Sequence, residues 1–336
     1  MKITVCISTY NRPDSLRETL THLVGTQTLP LEDYQVVVIN DGTTDLGPVV
    51  APFAHADVQL VPNRGKGLAA GRNTGVAHAK YPLILLLDDD ILAAPDHLQR
   101  HIEVHQRFPR ALCTANRFDS PALLEAGAKT PFGRYKLKRD YRWEVVWAKT
   151  PLDDRFVSIE SLAGFSCSFT RESYEAIGPF DERFPFAGIE DQDFFERAKA
   201  LGYEMIFDTA NACYHNEVFN LDRRKWLARQ YTGAQGYILL WNKYPEKKTN
   251  NPFLAAHAPP KPGDSLALRL KKLRYSLLGT TLAWWGLLAL ERLFGLLAAS
   301  DRLYERLYNA MYIHHAHRGF RKGLRQFGDG TTPAQG

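Results

Sequence analysis

The most constraining feature of this sequence is an uninterrupted apolar run that ends in three adjacent carboxylates. The run extends from Leu83 to Leu87, and Asp88, Asp89 and Asp90 follow it directly. An apolar run of this length, bounded by charge, predicts a buried central strand of a parallel sheet. Open α/β sheets bind ligands at the carboxyl ends of their strands, so we expect the three acids to line a ligand crevice. A hard divalent cation would relieve their mutual repulsion, which predicts a metal site for a nucleotide phosphate.

Strand-like and helical segments alternate on both sides of this run. The strand-like segments are residues 3–9, 34–39, 58–61, 161–169, 205–207 and 212–214. Helical patterns begin near Pro13, after the glycine-rich residues 65–75, beyond Pro95 and at Glu190. The alternation predicts an α/β fold with a mostly parallel, doubly wound sheet flanked by helices. The glycines of residues 65–75 have neither the position nor the spacing of a dinucleotide-binding fingerprint.

The charge of the chain is concentrated near its end. The net charge is +5, whereas residues 261–325 alone carry 12 Lys/Arg and 4 Asp/Glu. This distribution argues against nucleic acid as a partner of the main domain and favours an anionic surface, such as a cytoplasmic leaflet, as a partner of the tail. The first strand begins at Ile3 and leaves no room for a signal segment, which predicts a cytoplasmic protein.

Two groups of potential metal ligands are predicted to be structural. The four cysteines, Cys6, Cys113, Cys167 and Cys213, are far apart in sequence and are expected to be reduced thiols in the core. Three histidines, His97, His101 and His105, share one face of a predicted helix. They lack the His-Glu-x-x-His arrangement, so we predict a solvated helix face rather than a zinc site.

Five ordered motifs within residues 1–220 resemble the signature of family 2 glycosyltransferases. They are Ser8-Thr9-Tyr10-Asn11-Arg12, Asn40-Asp41-Gly42-Thr43-Thr44-Asp45, Gly71-Arg72-Asn73-Thr74-Gly75, Leu87-Asp88-Asp89-Asp90 and Glu190-Asp191-Gln192-Asp193. The resemblance implies a GT-A fold, a nucleotide-diphosphate sugar donor, Mg²⁺ or Mn²⁺ as cofactor, and inversion at the anomeric carbon. The chain lacks a Gln-x-x-Arg-Trp sequence, so transfer of a single sugar is favoured over polymer synthesis.

The resemblance also implies roles for individual residues. The nucleotide-sugar-binding residues would be Thr9, Tyr10, Arg12, Asp41, Arg72, Asp88 and Asp89. Asp90 would hold the metal, and His215 is either a further metal ligand or a histidine packed at a strand end. Asp191 resembles the general base, and the nearby charges of Glu190 and Asp193 should raise its proton affinity. Gly164 belongs to a run of small residues that permits close approach of a ligand.

The expected domain organisation follows these motifs. We predict a GT-A catalytic domain with a nucleotide-binding half and an acceptor half, then a helix with a proline-rich linker, a basic amphipathic helical extension and a disordered tail. Their ranges are 1–117, 118–220, 221–262, 263–326 and 327–336. Residues 120–156, rich in Lys, Arg and aromatics, are interpreted as a lid or acceptor-side insertion.

The role of the helical extension is left open between two alternatives. The apolar run from Leu277 to Leu290 is too short to span a bilayer. Two helices in the extension either pack on protein, including a second copy of the chain in a homodimer, or lie peripherally on the inner face of the plasma membrane. The expected acceptor is a glycan or a lipid-linked acceptor in cell-envelope polysaccharide or glycolipid assembly, and membrane attachment would suit a lipid-linked one. The alternatives to a glycosyltransferase are a nucleotidyltransferase and a catalytically silent sugar-nucleotide-binding scaffold.

Overall fold

The computed structural model describes residues 1–140, 149–184, 188–248 and 251–328. The chain divides into two compact units. The first comprises Met1–Leu124 and Arg142–Glu217, and the second comprises Glu125–Tyr141 and Val218–Gly336. Residues 141–148 of the predicted insertion and nearly all of the predicted disordered tail lie outside the described residues.

The described residues contain ten β-strands and thirteen α-helices. The strands are β1 Ile3–Thr9, β2 Tyr34–Asn40, β3 Val58–Pro62, β4 Leu83–Leu87, β5 Ile91–Ala93, β6 Ala111–Asp119, β7 Lys149–Pro151, β8 Phe156–Ile159, β9 Ser166–Thr170 and β10 Glu204–His215. The helices are α1 Pro13–Gly25, α2 Gly47–Val50, α3 Gly67–His78, α4 His97–Arg107, α5 Pro121–Ala128, α6 Pro131–Asp140, α7 Arg171–Ile177, α8 Glu190–Ala200, α9 Arg223–Lys243, α10 Pro252–His257, α11 Leu266–Leu278, α12 Thr281–Leu296 and α13 Asp301–Phe327.

The strands of the first unit form one mixed sheet in the order β3-β2-β1-β4-β9-β6-β10-β8-β7, and β5 pairs with β10. The β3-β2-β1-β4 half is parallel, as the alternation of strands and helices predicts. β9 lies antiparallel between β4 and β6, so the sheet is mixed beyond β4. The predicted strands at 205–207 and 212–214 are one strand, β10, whose pairing with β6 shifts register between Asp208 and Ala212.

Alternate residues of the central strands face opposite layers of helices. Leu83 and Leu85 of β4 pack with α1 and α4, whereas Ile84 and Leu86 pack with α3 and α8. All five residues from Leu83 to Leu87 are buried, which confirms the predicted central strand. The four cysteines are buried and free, as expected of core thiols.

The prediction that the histidine face of α4 is solvated is wrong. His97, His101 and His105 are all buried, because this face of the helix lies against β9 and β10. Their partners are the hydroxyls of Ser166 and Ser168 on β9. The small, polar side chains of β9 therefore leave room for the histidines and hydrogen-bond to them. The helical pattern alone predicts that this face is exposed to solvent.

The hydrogen bonds of these histidines run in one direction. The Ala212 carbonyl only accepts, so Nδ1–H of His97 donates to it at 3.3 Å, and Nε2 of neutral His97 accepts from Ser166 Oγ at 3.1 Å. His101 then donates from Nε2 to Ser166 Oγ at 3.2 Å and accepts at Nδ1 from Ser168 Oγ at 2.8 Å. His105 donates from Nε2 to Ser168 Oγ at 2.8 Å. Three neutral histidines and two hydroxyls thus form one polarised chain.

The second unit is helical. The predicted helix after Asp222 is α9, and the Asp222 carboxylate caps it by accepting from the backbone N–H of Arg224 and Lys225. The predicted linker contains a further helix, α10, whose N-cap is Asn251. The extension forms three helices rather than two, because the chain breaks between α11 and α12 at Gly279-Thr280, where Thr280 caps α12.

The long helix α13 organises this unit. It packs along α9, and Gly319 and Gly323 permit the close approach: a Cβ at Gly323 would lie 2.9 Å from Ile238 Cγ1. An aromatic and apolar cluster joins α6, α9, α12 and α13 around Tyr308 and Met311. Within the described ranges, no helix combines the length and the apolar character that crossing a bilayer requires.

Candidate active site

The carboxyl ends of β1 and β4 bring together the first predicted site residues. The two strands are parallel neighbours, so Thr9 at the end of β1 and Arg12 just beyond it lie close to the acids that follow β4. Thr9 Oγ1 donates to Asp89 Oδ2 at 2.5 Å, and Arg12 Nη1 donates to Asp89 Oδ1 at 2.8 Å. The same guanidinium nitrogen lies 3.3 Å from Asp90 Oδ2. Arg12 therefore neutralises part of the charge that the three acids concentrate.

Asp89 is an acid with a strongly perturbed pKa. The residue is 4% exposed, and burial raises the pKa of Asp89 to about 7. Arg12 and the Thr9 hydroxyl oppose that rise, whereas the charges of Asp90 and Asp88 add to it. The pKa of Asp89 stays raised although Arg12 opposes the rise, so this end of the sheet favours an additional cation.

Asp90 lies beside two further metal-ligand side chains. Ligand atoms of Asp90, His215 and Glu217 all lie within 4.8 Å of one another, and the three residues are buried. Asp90 Oδ1 is 3.5 Å from His215 Nε2, which is 4.0 Å from Glu217 Oε2. The backbone holds this arrangement, because Ile91 pairs with His215 in the sheet and Asn216 N–H donates to the Asp90 carbonyl at 2.8 Å.

The sequence reasoning missed Glu217. His215 ends β10, and in an extended chain residues two positions apart point to the same side. If His215 is considered as a metal ligand, the spacing of two residues therefore also indicates Glu217 as a candidate ligand. Two carboxylates and one imidazole form a donor set that fits Mn²⁺ well, because imidazole suits transition metals and carboxylate suits hard cations. These three residues would hold the ion.

Asp191 lies in the first turn of α8, tied to the segment that precedes β9. Its Oδ2 accepts from the backbone N–H of Gly164 at 3.1 Å, and its Oδ1 accepts from that of Gln192 at 2.7 Å. The next carbonyl, that of Phe165, accepts from Asp88 N–H at 2.9 Å. Residues 164 and 165 thus connect the predicted base to the acids of β4. A Cβ at Gly164 would lie 2.8 Å from Asp191 Oδ2, so the close approach requires glycine.

A buried ion pair supports the start of α8. Arg72 is 4% exposed, and its Nη1 donates to Glu190 Oε1 at 2.7 Å. The other Glu190 oxygen accepts from the backbone N–H of Gly188 and Ile189. Burial raises the pKa of Glu190, and Arg72 opposes the rise. Burial lowers the pKa of Arg72, but Glu190 and other nearby acids outweigh burial and leave that pKa raised.

The remaining predicted residues lie in three places. Asp41 accepts from Asn63 Nδ2 at 2.6 Å and from the N–H of Gly67 at 3.1 Å, so it closes the loop that enters α3. Tyr10 is exposed immediately after β1. Asp193 is fully buried and accepts from Arg197 Nε within α8 at 3.1 Å, which gives it a local structural partner. The roles of these residues in binding stay predictions.

A protein-family comparison decides the family. The model described as Glycosyl transferase family 2 matches residues 4–178, about half of the chain. The chain belongs to glycosyl transferase family 2. This confirms the resemblance on which the motif assignments depend. The matched region contains the acids that follow β4, whereas His215, Glu217 and Asp191 lie beyond it.

Two curated relatives of this family 2 chain illustrate the range of similarity. The uncharacterized glycosyltransferase YwdF of Bacillus subtilis (strain 168) is 32% identical over 101 residues, 30% of this chain and 37% of YwdF. The hyaluronan synthase of Pasteurella multocida is 27% identical over 243 residues, 64% of this chain and 24% of the synthase. The chain thus spans well under two thirds of either relative.

A solved structure resembles the whole family 2 chain. The mannosyltransferase PcManGT from Pyrobaculum calidifontis, solved in complex with GDP-Man and Mn²⁺, has a TM-score of 0.56 and 19% sequence identity. The match covers 96% of this chain and 88% of that one. It confirms the predicted α/β fold of the GT-A type with a C-terminal helical region.

Proposed function

We propose that the chain is an inverting, metal-dependent glycosyltransferase that moves one sugar from a nucleotide-diphosphate sugar to an acceptor hydroxyl. The convergence of Asp90, His215 and Glu217 at the carboxyl edge of the sheet is the observation that carries the proposal. A metal-ligand cluster beside buried acids suits a diphosphate, whose charge increases as its bond to the sugar breaks. Membership of family 2 supports the reaction class.

Asp90, His215 and Glu217 would hold Mn²⁺ or Mg²⁺, with Mn²⁺ favoured by the imidazole ligand. When bound, the cation supplies Lewis-acid stabilisation of the charge on the leaving diphosphate. Mn²⁺ in the complex of the mannosyltransferase PcManGT supports the choice of metal. Arg12 adds a fixed positive charge beside Asp89 and Asp90, where the diphosphate would bind.

Asp191 is the proposed general base. Each of its oxygens accepts one backbone hydrogen bond, which fixes the direction of the carboxylate and leaves lone pairs for a substrate hydroxyl. As the hydroxyl oxygen bonds to the anomeric carbon, its proton passes to Asp191. The bond from that carbon to the diphosphate breaks on the opposite face, and the nucleoside diphosphate leaves with the electron pair. Configuration at the anomeric carbon therefore inverts.

Arg72 and Glu190 are positioning residues in this proposal. The Arg72–Glu190 pair is buried and holds the N-terminal turn of α8, from which Asp191 projects. The family resemblance also implies direct contact between Arg72 and the nucleotide, and the N–H groups of Arg72 that Glu190 does not use are its remaining donors. The other proposed nucleotide contacts are Thr9, Tyr10, Arg12, Asp41 and the acids of β4.

The proposed acceptor is a glycan or a lipid-linked sugar of cell-envelope assembly, and the proposed location is the inner face of the plasma membrane. The basic residues 261–325 support this location, because an anionic leaflet attracts clustered Lys and Arg. The donor sugar and the nucleotide base are to be identified by binding experiments.

Thermal stability in the presence of nucleoside diphosphates and sugar nucleotides, with and without Mn²⁺, tests the donor site. A ligand at about 100 times its dissociation constant adds about 2.7 kcal/mol to the folded state. We expect a Mn²⁺-dependent rise in Tm with one nucleotide family. No rise with any of them would refute the metal-dependent donor site.

Release of nucleoside diphosphate in the presence of acceptor then tests turnover. Asp191→Asn is expected to bind donor with the same rise in Tm and to lose roughly 10²–10⁴-fold in kcat. Asp90→Ala is expected to lose both turnover and the Mn²⁺ dependence of donor binding. Donor binding by the wild type without any turnover would favour the scaffold alternative, and an Asp191→Asn variant with wild-type kcat would refute the base assignment.

A further inference from the structure

Helix α11 presents a row of leucines to solvent. Leu266, Leu270, Leu273 and Leu277 are separated by four, three and four residues, which places them on one side of the helix. All four are exposed, and Leu266 is 73% exposed. The opposite side of α11 contacts α10 and α13. The leucine row is therefore the outward side of a helix that is already anchored.

Helix α12 repeats this arrangement. Its inward side chains, Trp284, Leu287 and Leu288, belong to the cluster around α13. Its outward side carries Leu282, Trp285, Leu290, Leu293 and Leu296, and the exposed C-cap residue Leu297 follows. Leu282 and Leu296 are 83% and 84% exposed. We call the exposed leucines of α11 and α12, together with Trp285, the leucine face. Soluble surfaces rarely leave so many large apolar side chains exposed on consecutive helices.

Most of the exposed charges beside the leucine face are positive. Arg269, Lys271 and Arg274 are exposed on α11 beside the leucines. The sequence contains no Asp or Glu from residue 265 to residue 290. Glu291 on α12 is paired with Arg223 at 2.8 Å. An approaching surface would therefore meet apolar side chains bordered by positive charge.

We propose that the leucine face docks on an anionic lipid bilayer, with α11 and α12 lying in the plane of the interface. A lipid surface matches both properties, because acyl chains accept the leucines and anionic headgroups attract the bordering Arg and Lys. A second copy of the chain matches only the first, since a face-to-face pair would bring like charges together. The inference deepens the proposed membrane partner and rests on that part of the proposed function alone.

Trp285 has a defined place in this docking. Its indole is 65% exposed in the middle of the leucine face, whereas the neighbouring Trp284 stacks against His314 at a centroid distance of 5.0 Å. Tryptophan is favoured at membrane interfaces, where an apolar ring and a polar N–H both find partners. The two adjacent tryptophans thus have different partners: Trp284 packs α12 against α13, and Trp285 contacts the bilayer.

Flotation of the full-length protein with vesicles tests the proposal. One vesicle preparation contains phosphatidylcholine and phosphatidylglycerol, and the other contains phosphatidylcholine alone. The double variant Leu282→Ser, Trp285→Ser should bind anionic vesicles at least about tenfold more weakly, because each large apolar side chain contributes roughly that factor or more. Its matched control is Leu60→Ser, Leu201→Ser, which removes two exposed leucines from the first unit and should bind like the wild type.

A second pair of variants tests the charges. Arg269→Gln, Arg274→Gln should weaken binding to anionic vesicles about 30-fold, since each of the two basic residues near such a surface contributes about 1 kcal/mol. Arg110→Gln, Lys199→Gln removes the same charge from the first unit and should leave binding unchanged. Equal binding of the wild type to both vesicle types, or equal binding of all four variants, would overturn the proposal.

Sedimentation velocity covers the alternative occupant. A wild-type dimer that becomes monomeric in Leu282→Ser, Trp285→Ser would assign the leucine face to a second copy and overturn the lipid proposal. The Mn²⁺-dependent nucleotide shift in Tm is measured on the same samples. That shift should be retained in every variant, so failure of membrane docking and failure of the donor site are distinguishable.

Discussion

The buried histidine chain predicts that the first unit loses stability as pH falls. Burial lowers the pKa of His97 and of His105 to about 4, and lowers that of His101 as well. In the unfolded chain the pKa of a histidine is about 6.5. Between these two values the unfolded state binds more protons, so the stability present above about pH 6.5 is lost progressively toward pH 4.

The size of the effect follows from the shift in pKa. A difference of about 2.5 pH units corresponds to about 3 kcal/mol for one histidine, of which about 2 kcal/mol is lost between about pH 7 and pH 5. The polarised hydrogen bonds make protonation costly. A proton on His97 Nε2 would oppose the donating hydroxyl of Ser166, and the other nitrogen already donates to Ala212.

His105→Gln tests the contribution of one histidine of the hydrogen-bonded row. Its amide N–H can replace Nε2–H as the donor to Ser168, but it does not titrate. The variant should be less stable than the wild type at about pH 7, because packing is lost, and the difference should shrink by about 2 kcal/mol at about pH 5. The control is His55→Gln, which replaces an exposed histidine.

The assay must report on the first unit rather than on the whole chain. Amide hydrogen exchange of peptides from α4 and β9, corrected for the intrinsic pH dependence of exchange, gives the free energy of opening at each pH. We expect the profiles of the wild type and His55→Gln to coincide and that of His105→Gln to be flatter. Parallel profiles for all three proteins would refute the reasoning.

Three further predictions concern the candidate site. Glu217→Gln should weaken Mn²⁺ binding about 10–100-fold in a calorimetric titration, and unchanged affinity would exclude Glu217 as a ligand. Glu190→Gln leaves Arg72 as a buried charge without its carboxylate and should lower the free energy of unfolding of the first unit by about 3–5 kcal/mol, measured by hydrogen exchange. Gly164→Ala should displace both Arg72 and Asp191, because the added Cβ would overlap Arg72 Nη2 and lie 2.8 Å from Asp191 Oδ2, and should lower kcat while the nucleotide shift in Tm is retained. An Ala variant with unchanged kcat would show that this tether does not position the base.

The central strands and the acids that follow β4 could be predicted because local patterns determine them. A run of leucines ended by aspartates is informative without knowledge of any neighbour, and the family motifs placed Asp90 and Asp191 at strand and helix ends. The structure brings Asp90 and His215 together, 3.5 Å apart, because Ile91 pairs with His215. That pairing joins residues far apart in sequence.

Other features depended on partners that the sequence does not identify. Polar histidines at helical spacing are typical of a solvated face. Only the packing of α4 on β9 shows that Ser166 and Ser168 hydrogen-bond to them. The two short segments at 205–207 and 212–214 appeared separate because polar residues lie between them. In the structure the irregular pairing with β6 carries the strand across that interval.

The hydrogen bond from Asn216 N–H to the Asp90 carbonyl bears on how the chain tolerates insertions and redesign. It joins the backbones of the two segments that carry the proposed metal ligands, although more than a hundred residues separate them in sequence. The geometry between Asp90 and His215 is thus independent of the length of residues 120–156, which leave the sheet after β6 and return to it in β7 and β8. Insertions and exchanges in that segment should therefore leave the spacing between Asp90 and His215 unchanged.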